Sequence, residues 1–191
     1  MSSSVKKSIE TKNLHIGYQQ KKSVLTIQKH ISLQLYKGEF VGILGKNGIG
    51  KSTLLRTLTG VQDAISGDVF IQGKTIQSYS NKELSVLISL VLTERLPESQ
   101  LTVYELVALG RQPHTNWIGR LGEKDVEKIN WALEQTETLP LDNRHFNELS
   151  DGQLQRVLIA RALAQDTQII LLDEPTAHLD MHHTKIGRAH V

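Results

Sequence analysis

The chain has 191 residues, of which 39% are hydrophobic and 22% charged, and a formal net charge of +2. This length is enough for one domain with a substantial core, and the composition is ordinary for a globular protein. The charge is too small to indicate nucleic-acid binding, and the absence of cysteine excludes a disulfide framework and a thiolate metal site. The start, MSSSVKKSIE, has no apolar run typical of a signal peptide, and no stretch approaches the ~18 apolar residues of a membrane helix. We therefore expect any membrane association to go through a partner.

Alternating apolar residues predict half-buried strands in the first third of the chain. They occur in ISLQLY, which begins at Ile31, and in GDVFIQG, which begins at Gly67. The residues that share one face are Ile31, Leu33 and Leu35 in the first stretch and Val69 and Ile71 in the second. EFVGIL (Glu39–Leu44) is a more continuous apolar run. It predicts a strand buried on both faces of a parallel sheet.

The middle third changes to helical spacing. Thr102 and Glu105 stand three apart in LTVYELVALGR, which predicts a capping box at the start of a short helix. A second helix, in EKDVEKINWALEQT, is predicted to carry Val126, Ile129 and Leu133 on one face. The last third predicts a helix from about Asp151 and then a buried strand, TQIILLDE, that ends in two carboxylates. We expect the helical middle to be an insertion between the two halves of an α/β core.

A glycine-rich segment, GKNGIGKST, directly follows the predicted strand EFVGIL and precedes the helical stretch LLRTLTG. It matches the pattern G-x-x-x-x-G-K-[ST] in the required order of strand, loop and helix. Such glycines let backbone N–H groups turn toward phosphate oxygens, and the helix N-terminus adds the positive end of its dipole. We predict that Lys51 reaches the β- and γ-phosphates and that the Ser52 hydroxyl ligates Mg²⁺. The predicted ATP-binding loop consists of Gly45, Lys46, Asn47, Gly48, Ile49, Gly50, Lys51, Ser52 and Thr53. The alternative is a plain glycine turn between a strand and a helix.

Two carboxylates end the strand in IILLDE. Asp173 is predicted to hold Mg²⁺ beside the glycine loop. Glu174 follows it, so its side chain leaves on a different vector and could polarise a water as general base. Alone this pattern is weak, because acidic residues often end buried strands, but together with the glycine loop it is strong.

LSDGQ, from Leu149, is a second helix start suited to an anion. Ser150 and Gln153 form a predicted capping box, and Gly152 leaves the backbone bare. The alternative is a well-capped core helix whose apolar face is Leu154, Val157, Leu158 and Ile159. Because the glycine loop already encloses one nucleotide, the second anion site is best explained if it covers a nucleotide held by another copy of the chain.

The combination of GKNGIGKST, LSDGQ, IILLDE and AHLD resembles the nucleotide-binding subunit of an ABC transporter, from about Ile9 to Asp180. The resemblance implies an α/β fold: a P-loop NTPase core with an N-terminal antiparallel β subdomain and an inserted helical subdomain. In that family two such domains dimerise head to tail and sandwich two ATP molecules with Mg²⁺. Each ATP contacts the phosphate loop of one chain and the signature helix of the other, and its hydrolysis drives transmembrane transport.

The resemblance also implies roles for single residues. The family signature corresponds here to Ser150, Asp151, Gly152 and Gln153. Its serine, glycine and glutamine would touch the γ-phosphate in trans, and Asp180 in AHLD, the family's D-loop, would organise the opposite site. Tyr18 in IGYQQ lies where the family usually has an aromatic residue that stacks on adenine. A half-buried structural role for this tyrosine is an equal alternative.

Within the family, LTVYELVALGRQPHTNWIGR resembles the helical lobe of the iron-chelate importer branch, which handles siderophores, haem and cobalamin. The partners implied are a second ATP-binding subunit, expected to be an identical copy, integral membrane permease subunits and, indirectly, a periplasmic or surface substrate-binding protein. Nucleic acid is not among them. The implied location is the cytoplasmic face of the inner (plasma) membrane, as a peripheral protein.

The chain departs from the family pattern in two places. Where the family's Q-loop carries a glutamine, SLVLTERLPE has Thr93 or Glu94, so no Q-loop role is assigned. We also expect the chain to be truncated before the family's switch histidine. The last residues, KIGRAHV, are expected to be a non-native tail, since codons for IGRAHV resemble a sequencing-library adapter.

These observations predict a single ABC ATP-binding domain over residues 1–184. Residues 1–92 would form the β subdomain and the first part of the P-loop core, 93–148 the helical subdomain, 149–184 the rest of the core, and 185–191 the non-native tail. Two alternatives remain open: a non-transport ABC ATPase acting on ribosomes or DNA, and a truncated fragment that binds nucleotide but hydrolyses it poorly.

Overall fold

The computed structural model describes residues 6–20, 23–92, 97, 99–115 and 119–173. The described residues form two compact units. The first contains the residues up to Leu92 together with Thr167–Asp173, and the second contains the residues between 93 and 166. The second unit is thus inserted in sequence between two parts of the first, as predicted.

An antiparallel sheet is the main feature of the first unit, with strand order β2-β1-β4-β5 and with β3 also paired to β1. Its strands are β1 (Lys7–Gln20), β2 (Ser23–Ile31), β3 (Gln34–Tyr36), β4 (Ser66–Ile71) and β5 (Lys74–Thr75). Register pairs Leu14 with Ile31 and Ile9 with Leu35, so β2 and β3 follow the same side of β1 in succession. The antiparallel N-terminal sheet is therefore confirmed.

The side chain of Thr11 bridges the break between β2 and β3. Its hydroxyl donates to the carbonyl of Ile31 at 3.0 Å and accepts the backbone N–H of Leu33 at 3.1 Å. β2 and β3 therefore run in the same direction along β1. The prediction that Ile31, Leu33 and Leu35 share one face is confirmed, because all three pack on a core that includes the buried Val69 and Ile71.

A parallel pair of strands completes the strands of the first unit. β6 (Ile88–Val91) pairs with β7 (Ile169–Leu172), with Ile88 opposite Ile169 and Val91 opposite Leu172. The predicted strand in IILLDE is confirmed, and its partner is parallel, as an α/β core requires. Its predicted burial is wrong for most of its length: Ile169 is buried, but Ile170 is 38% exposed and Leu171 and Leu172 are only partly buried, because among the described residues β7 has a strand partner on one side only.

The prediction of a buried strand at Glu39–Leu44 is wrong for this structure. The segment is not in a strand, and the side chains of Phe40 and Leu44 are 99% and 96% exposed. A buried strand needs hydrogen-bonded neighbours and apolar layers on both faces. Among the described residues, β6 and β7 pair only with each other, and no strand bonds to 39–44. An apolar run shows a tendency to be buried, but it does not by itself supply those neighbours.

The described part of the first unit contains two α-helices, α1 (Lys51–Leu58) and α2 (Asn81–Ser85), and a 3₁₀ helix at Ile76–Ser78. Leu54 and Leu58 of α1 pack in the same core as the antiparallel sheet. A capping box starts α2, in which the hydroxyl of Ser80 accepts the N–H of Glu83 and the Glu83 carboxylate accepts the N–H of Ser80.

The described part of the second unit contains three α-helices, α3 (Val103–Ala108), α4 (Glu123–Gln135) and α5 (Asp151–Ala164), and 3₁₀ helices at Leu109–His114, Leu139–Leu141 and Phe146–Glu148. The predicted capping box of Thr102 and Glu105 is confirmed. On α4, Ile129 and Leu133 are fully buried as predicted, whereas Val126, in the first turn, is 38% exposed and does not belong to the buried face.

The helix α5 begins at the predicted residue and packs against α3 and α4. Its buried face contains Val157 and Leu158, as predicted, while Leu154 and Ile159 are only partly buried. In the described residues α5 belongs to the same compact unit as α3 and α4.

Candidate functional site: a phosphate loop and a carboxylate strand end

The glycine loop is built by backbone angles that favour glycine. Gly48 and Gly50 have φ angles of +78° and +106°, in the left-handed region. Between them the N–H of Ile49 donates to the carbonyl of Lys46 at 3.3 Å, which closes a tight turn. Gly50 then caps α1, and its carbonyl accepts the N–H of Leu54 at 2.9 Å.

Position 50 admits no side chain. A Cβ there would lie 2.7 Å from Cγ2 of Ile27, on the neighbouring strand β2, and φ is unfavourable for an L-residue. The loop is also tied to β2 by Gln28, whose amide Nε2 donates to the carbonyl of Ile49 at 3.2 Å. Sequence reasoning missed Gln28, since only the fold brings it to the loop.

Lys51 is held over the loop that precedes it. Its Nζ donates to the carbonyl oxygens of Gly45 at 3.0 Å and Lys46 at 3.2 Å. These bonds to the loop's own backbone place the ammonium at the start of α1. A phosphate oxygen at this place would meet the ammonium charge and the positive end of the helix dipole together.

The first turn of α1 has neither a capping side chain nor an acidic residue. The first N–H groups of a helix have no partner within the helix, so this end is suited to an anionic ligand. Ser52 is half-buried in this turn and Thr53 is buried. The arrangement thus combines a bare helix start with a fixed lysine.

Tyr18 lies beside this helix start. Its hydroxyl is 3.3 Å from the hydroxyl of Thr53, and 41% of the residue remains exposed. In the sheet it stands opposite Leu25, itself 61% exposed. The structure therefore brings Tyr18 to the loop with part of its surface still accessible.

Asp173 directly follows β7 and is 97% buried, being only 3% exposed. Its backbone N–H donates to the carbonyl of Val91 at 2.9 Å, so it stands at the carboxyl end of the parallel pair, where α/β proteins bind ligands. Among the described residues no cluster of three His, Cys, Asp or Glu side chains could hold a metal alone. One carboxylate with a serine hydroxyl, leaving the other positions to phosphate and water, is a donor set that fits Mg²⁺.

The signature residues lie in the second unit. Ser150 accepts the N–H of Gln153 at 3.3 Å, and the Gln153 side chain accepts the N–H of Ser150 at 3.0 Å, so the predicted capping box is confirmed. Asp151 stands in the first turn and Gly152 is partly buried. Glu174, Asp180, Thr93, Glu94 and the tail 185–191 lie outside the described residues.

The described helices include none long and apolar enough to cross a bilayer.

A glycine turn with left-handed φ, an uncapped helix start and a lysine bonded to the turn's carbonyls define a P-loop nucleotide-binding protein. The ABC transporter family model matches residues 28–177. The chain belongs to the ABC transporter family. This confirms the predicted resemblance and the α/β P-loop fold with its N-terminal antiparallel sheet and helical insertion.

Among similar proteins is the iron(3+)-hydroxamate import ATP-binding protein FhuC of Bacillus subtilis, which is 40% identical over 176 residues. The alignment covers 92% of this chain and 64% of that protein, so the chain spans less than two thirds of its length.

A dimeric structure of the bacterial ABC transporter cassette MJ0796 superposes with a TM-score of 0.77 at 32% identity, covering 90% of this chain and 76% of the cassette. A dimeric structure of MJ0796 in a post-hydrolysis state, bound to ADP and Pi, superposes with a TM-score of 0.75 at 32% identity, covering 91% of this chain and 76% of that cassette.

Proposed function

We propose that this chain is the ATP-binding and ATP-hydrolysing part of an ABC importer. The observation that carries the proposal is the phosphate loop, in which Lys51 is bonded to the carbonyls of Gly45 and Lys46 at an uncapped helix start. The family match and the likeness to an import ATP-binding protein support the same function.

ATP would bind with its phosphates against the loop Gly45–Thr53. Left-handed Gly48 and Gly50 keep side chains away from this backbone, and Lys51 would contribute its charge to the β- and γ-phosphates. Tyr18, partly exposed beside Thr53, would stack on the adenine.

Hydrolysis would rely on positioning and charge stabilisation. Ser52 and Asp173 would hold Mg²⁺, which when bound neutralises charge that develops on the phosphate oxygens. The burial of Asp173 at the end of β7 supports this role, because its position is fixed by the strand pair. Glu174 follows it directly in sequence and would accept a proton from the attacking water.

The second half of each site would come from a second copy of the chain. Ser150, Gly152 and Gln153 start α5 with a capping box, and a helix start of this kind attracts anions. In a head-to-tail dimer they would contact the γ-phosphate bound by the partner, and Asp180 would organise the opposite site. The dimeric structure of the similar cassette MJ0796 supports the pairing of two copies.

The transported cargo is proposed to be an iron-siderophore, haem or cobalamin, and the similarity to FhuC, an iron(3+)-hydroxamate import protein, supports the first of these. Membrane permease subunits and a substrate-binding protein would complete the transporter. The chain would then act at the cytoplasmic face of the plasma membrane, as one ATP-binding domain over residues 1–184 with the boundaries given above.

Steady-state turnover of Mg·ATP tests this proposal. The wild-type chain is compared with Glu174→Gln, which removes the general base, and with Lys51→Ala, which removes the loop charge. Lys82→Ala is the matched control, an exposed lysine on α2 in the same unit. We expect turnover by wild type and Lys82→Ala, ATP binding without turnover by Glu174→Gln, and loss of ATP affinity in Lys51→Ala. ATP binding without turnover by wild type would leave a nucleotide-binding fragment and contradict the ATPase proposal.

A further inference from the structure

The segment Gly110–His114, GRQPH, meets the C-terminal end of α5 through three different groups. The last carbonyl groups of a helix have no donor within the helix, so they need hydrogen-bond donors from elsewhere. Arg111 and His114 supply side-chain donors to two carbonyls at this end, and the backbone of Gly110 lies close against the carbonyl of Arg161, which already accepts the N–H of Gln165. We refer to this as the GRQPH segment.

Arg111 joins the end of α5 to the start of α4. Its Nη1 donates to the carbonyl of Ala164 at 2.8 Å, and its Nε donates to Asp125 Oδ1 at 2.8 Å. Asp125 in turn accepts the backbone N–H of Gly122 at 2.9 Å, which caps α4. With only 8% of the Arg111 side chain exposed, little water competes for these bonds, and a single guanidinium holds two helix ends together.

His114 and Gly110 complete the contact. The Nε2 of His114 lies 2.8 Å from the carbonyl of Gln165, which can only accept, so this nitrogen carries the proton. Gly110 approaches α5 so closely that a Cβ there would overlap the carbonyl oxygen of Arg161. The approach therefore requires glycine, and substitution there would push the segment off the helix.

The opposite end of the same helix is the signature start at Ser150. The 14 residues of α5 span about 21 Å as a continuous helix. Over this length, a tilt of α5 by about 3° about its C-terminal end moves its N-terminus by about 1 Å. A misplacement of that size in a catalytic site can lower the rate about a hundredfold. Fixing the C-terminal end thus controls where the anion-binding end is presented.

We propose that the GRQPH segment positions the signature helix, with Arg111 as the positioning residue, so that the start of α5 can close on a nucleotide held by a second copy. This rests on the proposed function. Arg111 touches neither ATP nor the reacting atoms in this role, and acts only through α5.

The test uses the Glu174→Gln chain as parent, because loss of hydrolysis should hold the ATP-bound dimer. Arg111→Met removes both donors, whereas Arg111→Lys keeps the charge but loses the planar fork whose Nε and Nη1 reach Asp125 and Ala164 in a fixed geometry. Lys128→Met is the matched control: it breaks the exposed 2.8 Å ion pair of Lys128 with Asp166, just past α5, without touching an α5 carbonyl. ATP affinity is measured with dilute monomer, and ATP-driven dimerisation by sedimentation.

We expect Arg111→Met to weaken ATP-driven dimerisation at least about tenfold, equivalent to about 1.4 kcal/mol, with the monomer's ATP affinity unchanged within about twofold. Arg111→Lys should lie between parent and Met variant, and Lys128→Met should match the parent. The proposal is overturned if Arg111→Met dimerises like the parent, or if it loses ATP affinity in the same proportion, which would indicate general damage. If Arg111→Met does not fold, His114→Leu, which removes only the bond to Gln165, decides by the same criteria.

Hydrogen exchange of the α5 amides separates this inference from the proposed function. If the parent does not dimerise with ATP, the sandwich proposal fails, while exchange still tests the positioning role. Faster exchange in Arg111→Met that extends through 151–155 supports positioning of the signature start. Faster exchange confined to 161–165 would overturn it.

Discussion

Ser150→Ala separates the two interpretations of LSDGQ, because another capping box in the chain provides a matched control. The Ser150 hydroxyl accepts the N–H of Gln153 at 3.3 Å, and the Ser80 hydroxyl accepts the N–H of Glu83 at the same distance. Replacing a capping serine by alanine costs about 1 kcal/mol, within a range of about 0.5–2 kcal/mol. For a chain of this size that lowers the melting temperature by about 2–4 °C per kcal/mol.

Ser150→Ala and Ser80→Ala should therefore lose similar stability in thermal unfolding followed by circular dichroism. Only Ser150 is proposed to meet a phosphate, so kcat/KM for ATP should fall at least about tenfold in Ser150→Ala, the loss of one charge-assisted hydrogen bond. Ser80→Ala should stay near wild type. If both variants lose the same modest fraction of turnover, Ser150 is only a helix cap and the trans contact is refuted.

Three further changes give expected outcomes. Tyr18→Phe should keep ATP affinity near that of wild type, because the ring can still stack on adenine after the 3.3 Å contact with Thr53 is lost, whereas Tyr18→Ala should weaken ATP affinity several-fold. Titration with a fluorescent nucleotide measures both, and equal affinity of the two variants would argue against stacking. Gly50→Ala, at a φ of +106°, should abolish ATP binding and lower the melting temperature, and normal binding would show that the loop does not need this angle. The backbone N–H that Asp125 accepts, and secondarily Arg111, lower the pKa of Asp125 against the opposing effect of burial. Because the folded-state pKa is lowered, ionised Asp125 stabilises the fold at pH values above its unfolded pKa of about 3.9, and this stability is lost as the pH falls through the folded pKa. In Asp125→Asn the free energy of unfolding should therefore depend less on pH below about pH 4, as measured by acid unfolding. An unchanged dependence on pH would contradict this.

Local patterns predicted the conformation of two helix starts in the candidate site. The capping box of Ser150 and Gln153 and the turn of the phosphate loop depend on residues within a few positions of one another, so the sequence contains their whole cause. The strand IILL was also predicted from its local run of apolar residues, although its parallel partner β6 was not.

Features that depend on distant neighbours could not be predicted in this way. The apolar run around Phe40 has no strand partner among the described residues and is exposed. Gln28 reaches the phosphate loop only because β2 passes beside it. Arg111 reads from sequence as one more surface charge, yet it is buried between the ends of α4 and α5.

The central claim, that each ATP lies between the phosphate loop of one copy and the signature helix of another, is tested by mixing two inactive variants. Lys51→Met disables the phosphate loop and Ser150→Arg blocks the signature start. In a mixed head-to-tail dimer both defects fall in one site, and the other site is intact.

The mixture should regain about a quarter of wild-type turnover, because half of the dimers are mixed and each has one of two sites. A chain carrying both substitutions, mixed with Lys51→Met, is the control and should stay inactive. If the two single variants fold, bind one another and still show no turnover when mixed, while wild type is active, the shared site is contradicted.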